Sequence, residues 1–173
     1  LFGNERIRVL SYAIDGKTVD VADGAKAYAI DGDVYRNATL GLVVRKPADA
    51  SFVKLDAMYP DTTVVGVRDA QGRETTLHQG AVSVTDLRDD GLAAYLKEKG
   101  YAGPMQPLRV ANRPALLATK VDGDKKTTTT AVAFRDGEDL WLMRTDGEDG
   151  ERRVRTAAAG VDIATPAAPV ATR

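Results

Sequence analysis

Short segments of alternating or β-branched hydrophobic residues occupy most of the chain, and polar turn residues separate them. The dipeptide Asp-Gly is the main separator. Because glycine adopts positive φ freely and aspartate caps its own backbone, this pair favours tight hairpin turns. The pattern predicts a strand-rich protein with short connections. The pairs are Asp15-Gly16, Asp23-Gly24, Asp31-Gly32, Asp90-Gly91, Asp122-Gly123, Asp136-Gly137, Asp146-Gly147 and Asp149-Gly150.

The N-terminal part of the chain has the pattern of a β-hairpin. Alternating apolar residues at positions 7–14 lead to the turn at Asp15-Gly16, and residues 18–21 return as a second strand. A further short strand is predicted at residues 27–30. We expect a new structural unit to begin at Tyr35.

Strands follow one another through most of that second unit. The first of them ends at Pro47, since proline cannot donate to a strand ladder. Four consecutive threonines favour a strand in the later part. The predicted strands cover residues 40–44, 52–55, 62–68, 75–77, 81–85, 108–111, 115–121, 127–134 and 140–143.

Two segments change to a helical period. Leu92, Tyr95 and Leu96 follow the i, i+3, i+4 rule. Asp89-Asp90 precedes them with capping oxygens and acidic charge, and Gly100 follows as a left-handed cap. These features predict a first helix.

The second helix is predicted near the C-terminus of the chain. Val154, Ala157, Ala158 and Val161 recur at i, i+3, i+4 and i+7. Acidic residues stand in front of this stripe, and Gly160 lies near its end.

Each predicted helix has one apolar stripe that must be covered, and a sheet face is the natural cover. The sequence therefore predicts an α+β fold in which two helices pack on an antiparallel β-sheet, with an extra N-terminal β-hairpin. The predicted division is a hairpin extension at 1–34, a binding domain at 35–165 and a Pro/Ala-rich tail at 166–173.

The charge and composition of the chain exclude some classes of partner and some kinds of site. The chain has 173 residues, enough for one domain with a core that needs no covalent staples. It carries 24 basic and 25 acidic residues, for a net charge of −1. Phosphate backbones require a concentrated excess of Lys and Arg, so nucleic acid is excluded as a partner. The chain has no cysteine, which excludes disulfides, thiolate metal sites and a thiol nucleophile.

Residue types that carry catalytic chemistry do not form a recognisable constellation. His78 is the only histidine, which excludes a two-histidine metal site, and we expect it in an exposed loop. None of the serines stands in a G-x-S-x-G elbow, and no glycine-rich phosphate loop is present. We therefore assign no catalytic and no cofactor-binding residue, and we predict that the protein is not an enzyme.

An acidic segment and a tryptophan are candidates for ligand sites. Residues 146–151 hold several carboxylates, but their order differs from that of an EF-hand loop. Turn formation and helix-start charge explain this segment, so no metal ligand is assigned. Trp141 lies within an apolar strand, which favours a position in the core.

Several segments together resemble the Mog1/PsbP-like domains of bacterial cell-envelope proteins. Residues 35–47 resemble the opening of those domains, in which a tyrosine, an asparagine and a glycine precede a proline. Residues 110–115 are similar to the family's hairpin, and residues 134–142 to its exposed turn followed by an aromatic strand. The predicted second helix and Val161-Asp162-Ile163 fit its final element.

The resemblance covers residues 35–165 and implies a particular kind of protein. It implies an α/β/α sandwich, placement in the periplasm or cell envelope, and a role in docking or assembly. It transfers no catalytic residue and no cofactor. We therefore expect an extracytoplasmic, non-catalytic binding module whose partner is another protein or a small envelope ligand. Contact with a membrane is expected only through a segment ahead of Leu1.

Two alternatives stay open at the level of sequence. A hydrolase based on carboxylates would need a deep cleft that holds two or more acids with raised pKa values. A carrier of a small apolar ligand would need a dry cavity lined by Leu, Val and Trp141.

Overall fold

The structure is a computed structural model that describes residues 11–14, 17–20, 28–38, 40–55, 62–80, 91–123, 126–137 and 139–164. Strands dominate it, as the pattern of short alternating segments predicted. The elements in chain order are β1 (Ser11–Ile14), β2 (Lys17–Asp20), β3 (Tyr28–Asp31), β4 (Val34–Asn37), β5 (Leu42–Arg45), β6 (Ser51–Phe52), β7 (Thr63–Arg68), β8 (Glu74–Gly80), α1 (Gly91–Glu98), β9 (Gln106–Val110), β10 (Arg113–Asp122), β11 (Thr127–Asp136), β12 (Asp139–Asp146), α2 (Gly150–Ala159) and β13 (Val161–Ile163).

The described strands form three antiparallel sheets. Seven of them make a large sheet in the order β6-β7-β8-β12-β11-β10-β9, and four make a smaller sheet in the order β13-β5-β4-β3. The strands β1 and β2 pair with each other as the predicted N-terminal hairpin. The prediction of an antiparallel α+β fold with this extra hairpin is confirmed.

The large sheet separates two hydrophobic clusters. On one face, Val132, Phe134 and Trp141 share a buried cluster with Val154 of α2 and with the inner face of the small sheet. On the other face, Ala131 shares a second cluster with Leu96 of α1. Because side chains alternate along each strand, neighbouring residues of β11 serve opposite faces. The predicted α/β/α sandwich follows from this arrangement.

The first helix has the predicted position and C-terminal cap. Leu96 is fully buried, and Leu92 and Tyr95 pack at the rim of the same cluster. Gly100 has φ +85°, and the amide of Tyr101 donates to the carbonyl of Leu96. These bonds satisfy carbonyls that the last turn leaves without a helical partner.

The second helix is shorter than its apolar stripe predicted. Val154, Ala157 and Ala158 face the core as expected. The assignment of Val161 to the same helix is wrong, because α2 ends at Ala159 and Val161 begins β13. There Val161 pairs with Val44 of the small sheet, so it is buried by a strand contact and not by a helical one.

Asp-Gly pairs form the predicted hairpin turns at three described places. They join β3 to β4 at Gly32, β10 to β11 at Gly123, and β11 to β12 at Gly137. Gly32 and Gly137 have positive φ values of 55° and 59°, which is the conformation that made the pair a turn signal.

The small sheet includes a strand that was predicted to belong to the N-terminal extension. The strand β3 pairs with β4 along its whole length, so the predicted boundary at residue 34 lies inside a β-hairpin. The wider division of the chain into domains stays a prediction. Residues 81–85 and the tail at 166–173 lie outside the described residues. Neither described helix has the length and apolar composition needed to cross a membrane.

Candidate functional site

A small pocket opens where the two larger sheets meet at their edges. Its walls come from β3 and β4 of the small sheet and from β6, β7 and the turn after β6 in the large sheet. The pocket has a volume of about 190 Å³. Its lining residues are Tyr28, Ile30, Tyr35, Phe52, Val53, Lys54, Leu55, Val64 and Val65.

Three aromatic rings form one continuous wall of this pocket. The Tyr28 and Tyr35 rings stack with their centroids 5.2 Å apart and an angle of 22° between planes. The Tyr35 and Phe52 centroids are 6.2 Å apart at a tilt of 49°. Distances and angles of this kind are favourable between aromatic rings. The wall therefore joins the small sheet to the edge of the large one.

Hydrogen bonds fix the central ring of the wall. Tyr35 is 3% exposed, and its hydroxyl donates to the carbonyl of Val64 at 3.3 Å. The amide nitrogen of buried Asn37 donates to the same hydroxyl at 3.3 Å, and its Oδ1 accepts from the amide of Leu40 at 3.1 Å. Burial raises the pKa of Tyr35, so the phenol stays protonated and keeps its donor.

The outer rim of the pocket is apolar and exposed. Tyr28 and Ile30 are each 50% exposed, although large hydrophobic side chains in this fold are mostly buried. Lys54 is the charged member of the lining, and its side chain is exposed. The arrangement can hold an aromatic ring or a branched aliphatic group and place a neighbouring anion near an ammonium group.

The acids do not gather in this pocket, as the hydrolase alternative would require. Among the described residues that line the pocket, none is Asp or Glu. Burial pushes the pKa of Asp69 upward, but hydrogen bonds and the charge of Arg73 bring it below its usual value. Hydrogen bonding and charge from Arg152 likewise lower the pKa of Asp149. Neither carboxyl group has the raised pKa expected of a general acid.

The histidine lies in a strand, so the expectation of an exposed loop is wrong. His78 belongs to β8 and is half-buried. Its Nδ1 forms a hydrogen bond with the Thr63 hydroxyl at 3.2 Å, and its Nε2 forms one with the Thr76 hydroxyl at 2.8 Å. Burial, with a smaller effect from the charge of Arg144, lowers the pKa of His78 to about 4. The imidazole is therefore neutral at physiological pH.

The acidic segment that precedes α2 forms ordinary protein contacts. The Asp146 carboxylate accepts a hydrogen bond from the Thr129 hydroxyl at 2.6 Å. Asp149 and Glu151 each accept from an arginine of α2 at 2.9 Å. Within the described ranges, no three Asp, Glu or His residues group as metal ligands would.

Trp141 occupies the core position that the sequence predicted. It is 1% exposed and stacks on Phe134, with ring centroids 6.3 Å apart. The lining of this pocket does not include Trp141, so it is not the cavity that the carrier alternative predicted. Sequence reasoning missed Tyr28, Ile30 and Tyr35 as site residues. The alternation of these residues across the hairpin at Gly32 was visible in the sequence. The sequence did not show that β3 leaves its apolar side chains exposed.

No protein-family model and no curated protein matches the chain. Among solved structures, the chain is similar to cyanobacterial PsbP (CyanoP) from Synechocystis sp., with a TM-score of 0.53 and 13% identity. That match covers 79% of this chain and 95% of the other. The chain is also similar to a protein from Bacteroides thetaiotaomicron, with a TM-score of 0.50 and 8% identity. That match covers 72% of this chain but only 46% of the other.

These likenesses concern the architecture of the molecule. The PsbP match spans nearly the whole of the related structure. This chain itself combines antiparallel sheets with packed helices, as the sequence resemblance implied. The chain has a Mog1/PsbP-like fold.

Proposed function

We propose that this domain is a non-catalytic binding module on the extracytoplasmic side of the bacterial envelope. It holds its partner through an apolar group that enters the pocket beside Tyr28 and Tyr35. The observation that carries the proposal is the pair of half-exposed apolar side chains, Tyr28 and Ile30, at the rim of an aromatic-lined pocket, since exposed apolar side chains grouped at a concave site are typical of a binding surface.

The volume of the pocket favours an anchoring site over a carrier. Pockets that enclose a drug-sized ligand occupy roughly 300–1,000 Å³. A cavity of about 150 Å³ already accommodates benzene. At about 190 Å³, the pocket is suited to one ring or one branched side chain. Such a group is supplied most simply by another protein, and the near-neutral charge of the chain agrees with a partner other than nucleic acid.

Placement in the envelope is part of the same proposal and derives from the resemblance in fold. Fractionation of cells that make the full-length protein tests it. Recovery in the periplasmic or envelope fraction is expected. Recovery with a cytoplasmic marker protein would remove the envelope from the proposal and leave the pocket to be judged separately.

Titration with 3-phenylpropanoate tests the pocket directly. This probe carries one ring for the aromatic wall and one carboxylate for Lys54. At about 0.3 kcal/mol per non-hydrogen atom, a ligand of this size binds with a Kd on the order of a few millimolar. Amide chemical shifts measured by NMR are expected to change in a saturable way at residues 28–30, 35 and 52–55.

Variants at the rim give the matched comparison. Tyr28→Ala should weaken binding about fivefold or more, and Lys54→Gln about threefold at low salt, because it removes one exposed charge. Val121→Ser is the control, since Val121 is 68% exposed but does not line the pocket. Saturable shifts that map elsewhere, or equal binding by all three variants, would refute the assignment of this pocket.

A further inference from the structure

The outer strands of the two larger sheets differ in how they are protected. The strands β6 and β13 have only two and three residues, and β9 contains Pro107, which cannot donate to a ladder. Short edges and edge prolines are common means of preventing unwanted strand pairing. The remaining outer strand, β3, has neither protection among its four residues.

The side chains of β3 add to its exposure. All four of its residues are exposed, whereas β4, its partner, buries Tyr35 and Asn37. Tyr28 lies opposite Asn37 and Ile30 opposite Tyr35, so the two large apolar side chains of β3 belong to the inner face of the small sheet. That inner face continues into the pocket.

The edge of β3 that no described strand covers lies beside the pocket. In an antiparallel ladder, alternate residues of an edge strand direct their N–H and C=O groups away from the sheet. Among the described strands, only β4 pairs with β3. A segment laid along this edge would extend the inner face by one strand, about 4.8 Å from β3, with every second side chain directed to the pocket side.

We infer that β3 accepts an extended peptide segment of a partner protein as a fifth strand of the small sheet. An aromatic or branched aliphatic side chain of that segment enters the pocket, and a carboxylate near it in sequence pairs with Lys54. This inference rests on the proposed function and specifies its partner. Backbone hydrogen bonds hold the segment, and the pocket selects its anchor residue.

The charge of the pocket and the identity of its lining residues favour this occupant over a second copy of the chain. Among the described residues of the pocket lining the charged one is a lysine, which favours an acidic segment. Pairing of β3 with β3 of a second copy would offer only Tyr28 and Ile30, and both already line the pocket of their own chain. A foreign segment can supply both the missing anchor and the missing carboxylate.

A library of random hexapeptides displayed on phage tests the inference. The bait is the full chain, and the double variant Tyr28→Ser/Ile30→Ser serves for counter-selection. Urea unfolding verifies that the double variant is folded, which its half-exposed positions favour. The Val121→Ser variant, altered at an exposed apolar residue away from the pocket, should enrich the same peptides as the unaltered chain.

Peptides with an apolar residue within two positions of Asp or Glu should be enriched. The decisive measurement is the affinity of selected peptides that carry N-methyl groups on alternate backbone amides. Methyl groups on the amides that face β3 should weaken binding at least tenfold, whereas methyl groups on the other amides should have little effect. Exchange of the β3 amides with solvent should slow when the peptide is bound.

Three results would overturn the inference. One is the absence of enrichment over the double variant, and another is binding that N-methylation at either set of amides leaves unchanged. The third is concentration-dependent dimerisation that the double variant abolishes, which would make a second copy the occupant. Binding of 3-phenylpropanoate at the pocket is independent of these outcomes, so failure of strand addition is distinguishable from failure of the proposed function.

Discussion

His78 is held between two threonine hydroxyls on the face of the large sheet that also carries Arg144. Each ring nitrogen has a hydrogen-bond partner that does not require an imidazolium ion. Burial is the main cause of its low pKa, and the nearby guanidinium group adds to it. The result is a neutral histidine that contributes to the sheet as a polar structural residue.

The pKa of His78 predicts how the stability of the protein depends on pH. In the unfolded chain the imidazole becomes protonated below its ordinary pKa of 6.5. In the folded protein it becomes protonated only near pH 4. The unfolded state therefore binds more protons between these values, and the free energy of unfolding falls as the pH falls through this window. After allowance for partial exposure, the loss between pH 7 and pH 5 is about 1 kcal/mol.

Urea unfolding at pH 7 and pH 5 measures this loss. The His78→Gln variant retains a side chain that can bond to threonine hydroxyls, and it removes the only histidine of the chain. Its free energy of unfolding should change less than that of the unaltered protein over the same range. Equal changes in both proteins would show that His78 titrates normally when folded.

The strand position of His78 shows what the local sequence leaves undetermined. The segment Leu-His-Gln-Gly resembles a turn, but β8 continues through Gly80 because it pairs with β12. A Cβ atom at Gly80 would lie 3.4 Å from the Leu140 side chain, which is an ordinary contact distance, so this glycine is a regular strand residue and not a turn signal. The partner strand is sixty residues away, and nothing near His78 specifies it.

Among the elements, the connection between α2 and β13 depends on a second glycine. Gly160 has φ −87°, which any residue can adopt, so its role differs from the left-handed cap at Gly100. Its amide donates to Ala157, and its carbonyl accepts from the amide of Arg45 at 2.8 Å. A Cβ atom here would lie 2.1 Å from the Arg45 carbonyl oxygen. The junction between α2 and β13 therefore lies in direct contact with the backbone of β5.

Replacement of Gly160 should therefore weaken the junction between α2 and the small sheet. Gly160→Ala is expected to reduce the free energy of unfolding by more than about 2 kcal/mol, because backbone atoms and not a flexible side chain must move. Gly123→Ala is the matched control, since a Cβ at Gly123 meets no atom within 4 Å. Its change should stay within about 0.5 kcal/mol. Similar effects of the two substitutions in urea unfolding would contradict this account.

Sequence periodicity identified both described helices and most of the described strands. It placed Val154, Ala157 and Ala158 correctly, because a helix that lies on a sheet buries one stripe. It failed at Val161, because an apolar residue at position i+7 can continue a helical stripe and can equally begin a short strand. It also gave β6 too many residues: residues 53–55 have strand-like composition but line the pocket outside any strand.

For the whole molecule, sequence order did not reveal how the two larger sheets are assembled. The strand β12 lies between β8 and β11, and β13 returns to pair with β5 near the opposite end of the chain. Asp-Gly turns predict pairing between neighbours in sequence, as between β11 and β12. The pairings of β8 with β12 and of β5 with β13 join strands that are far apart in sequence. The pocket depends on them, because Phe52 and Tyr35 belong to different sheets. Residues of the site could be predicted to lie in strands, but not to meet.

The Tyr35 hydroxyl is a polar link between those two sheets. It donates from β4 to the carbonyl of Val64 in β7 and accepts from Asn37. Tyr35→Phe keeps the ring stack but removes this link, which leaves two buried polar groups with one partner fewer. The expected cost is about 1–2 kcal/mol in the free energy of unfolding. Exchange of the β3 and β4 amides should also accelerate, because the side chain at position 35 then contacts β7 without a hydrogen bond.

Tyr28→Phe provides the control that separates the hydroxyl from the ring. Tyr28 stacks on Tyr35 from the exposed side, and it is half in solvent, where loss of a hydroxyl costs within about 0.5 kcal/mol. If Tyr35→Phe is as mild as Tyr28→Phe, the sheets are joined by apolar contacts and the hydrogen bond adds nothing. If it is costlier and exchange rises only in β3 and β4, the pocket owes its shape to one buried phenol. Mutations at Tyr35 should then weaken probe binding, because its hydroxyl is bonded to Val64, which also lines the pocket.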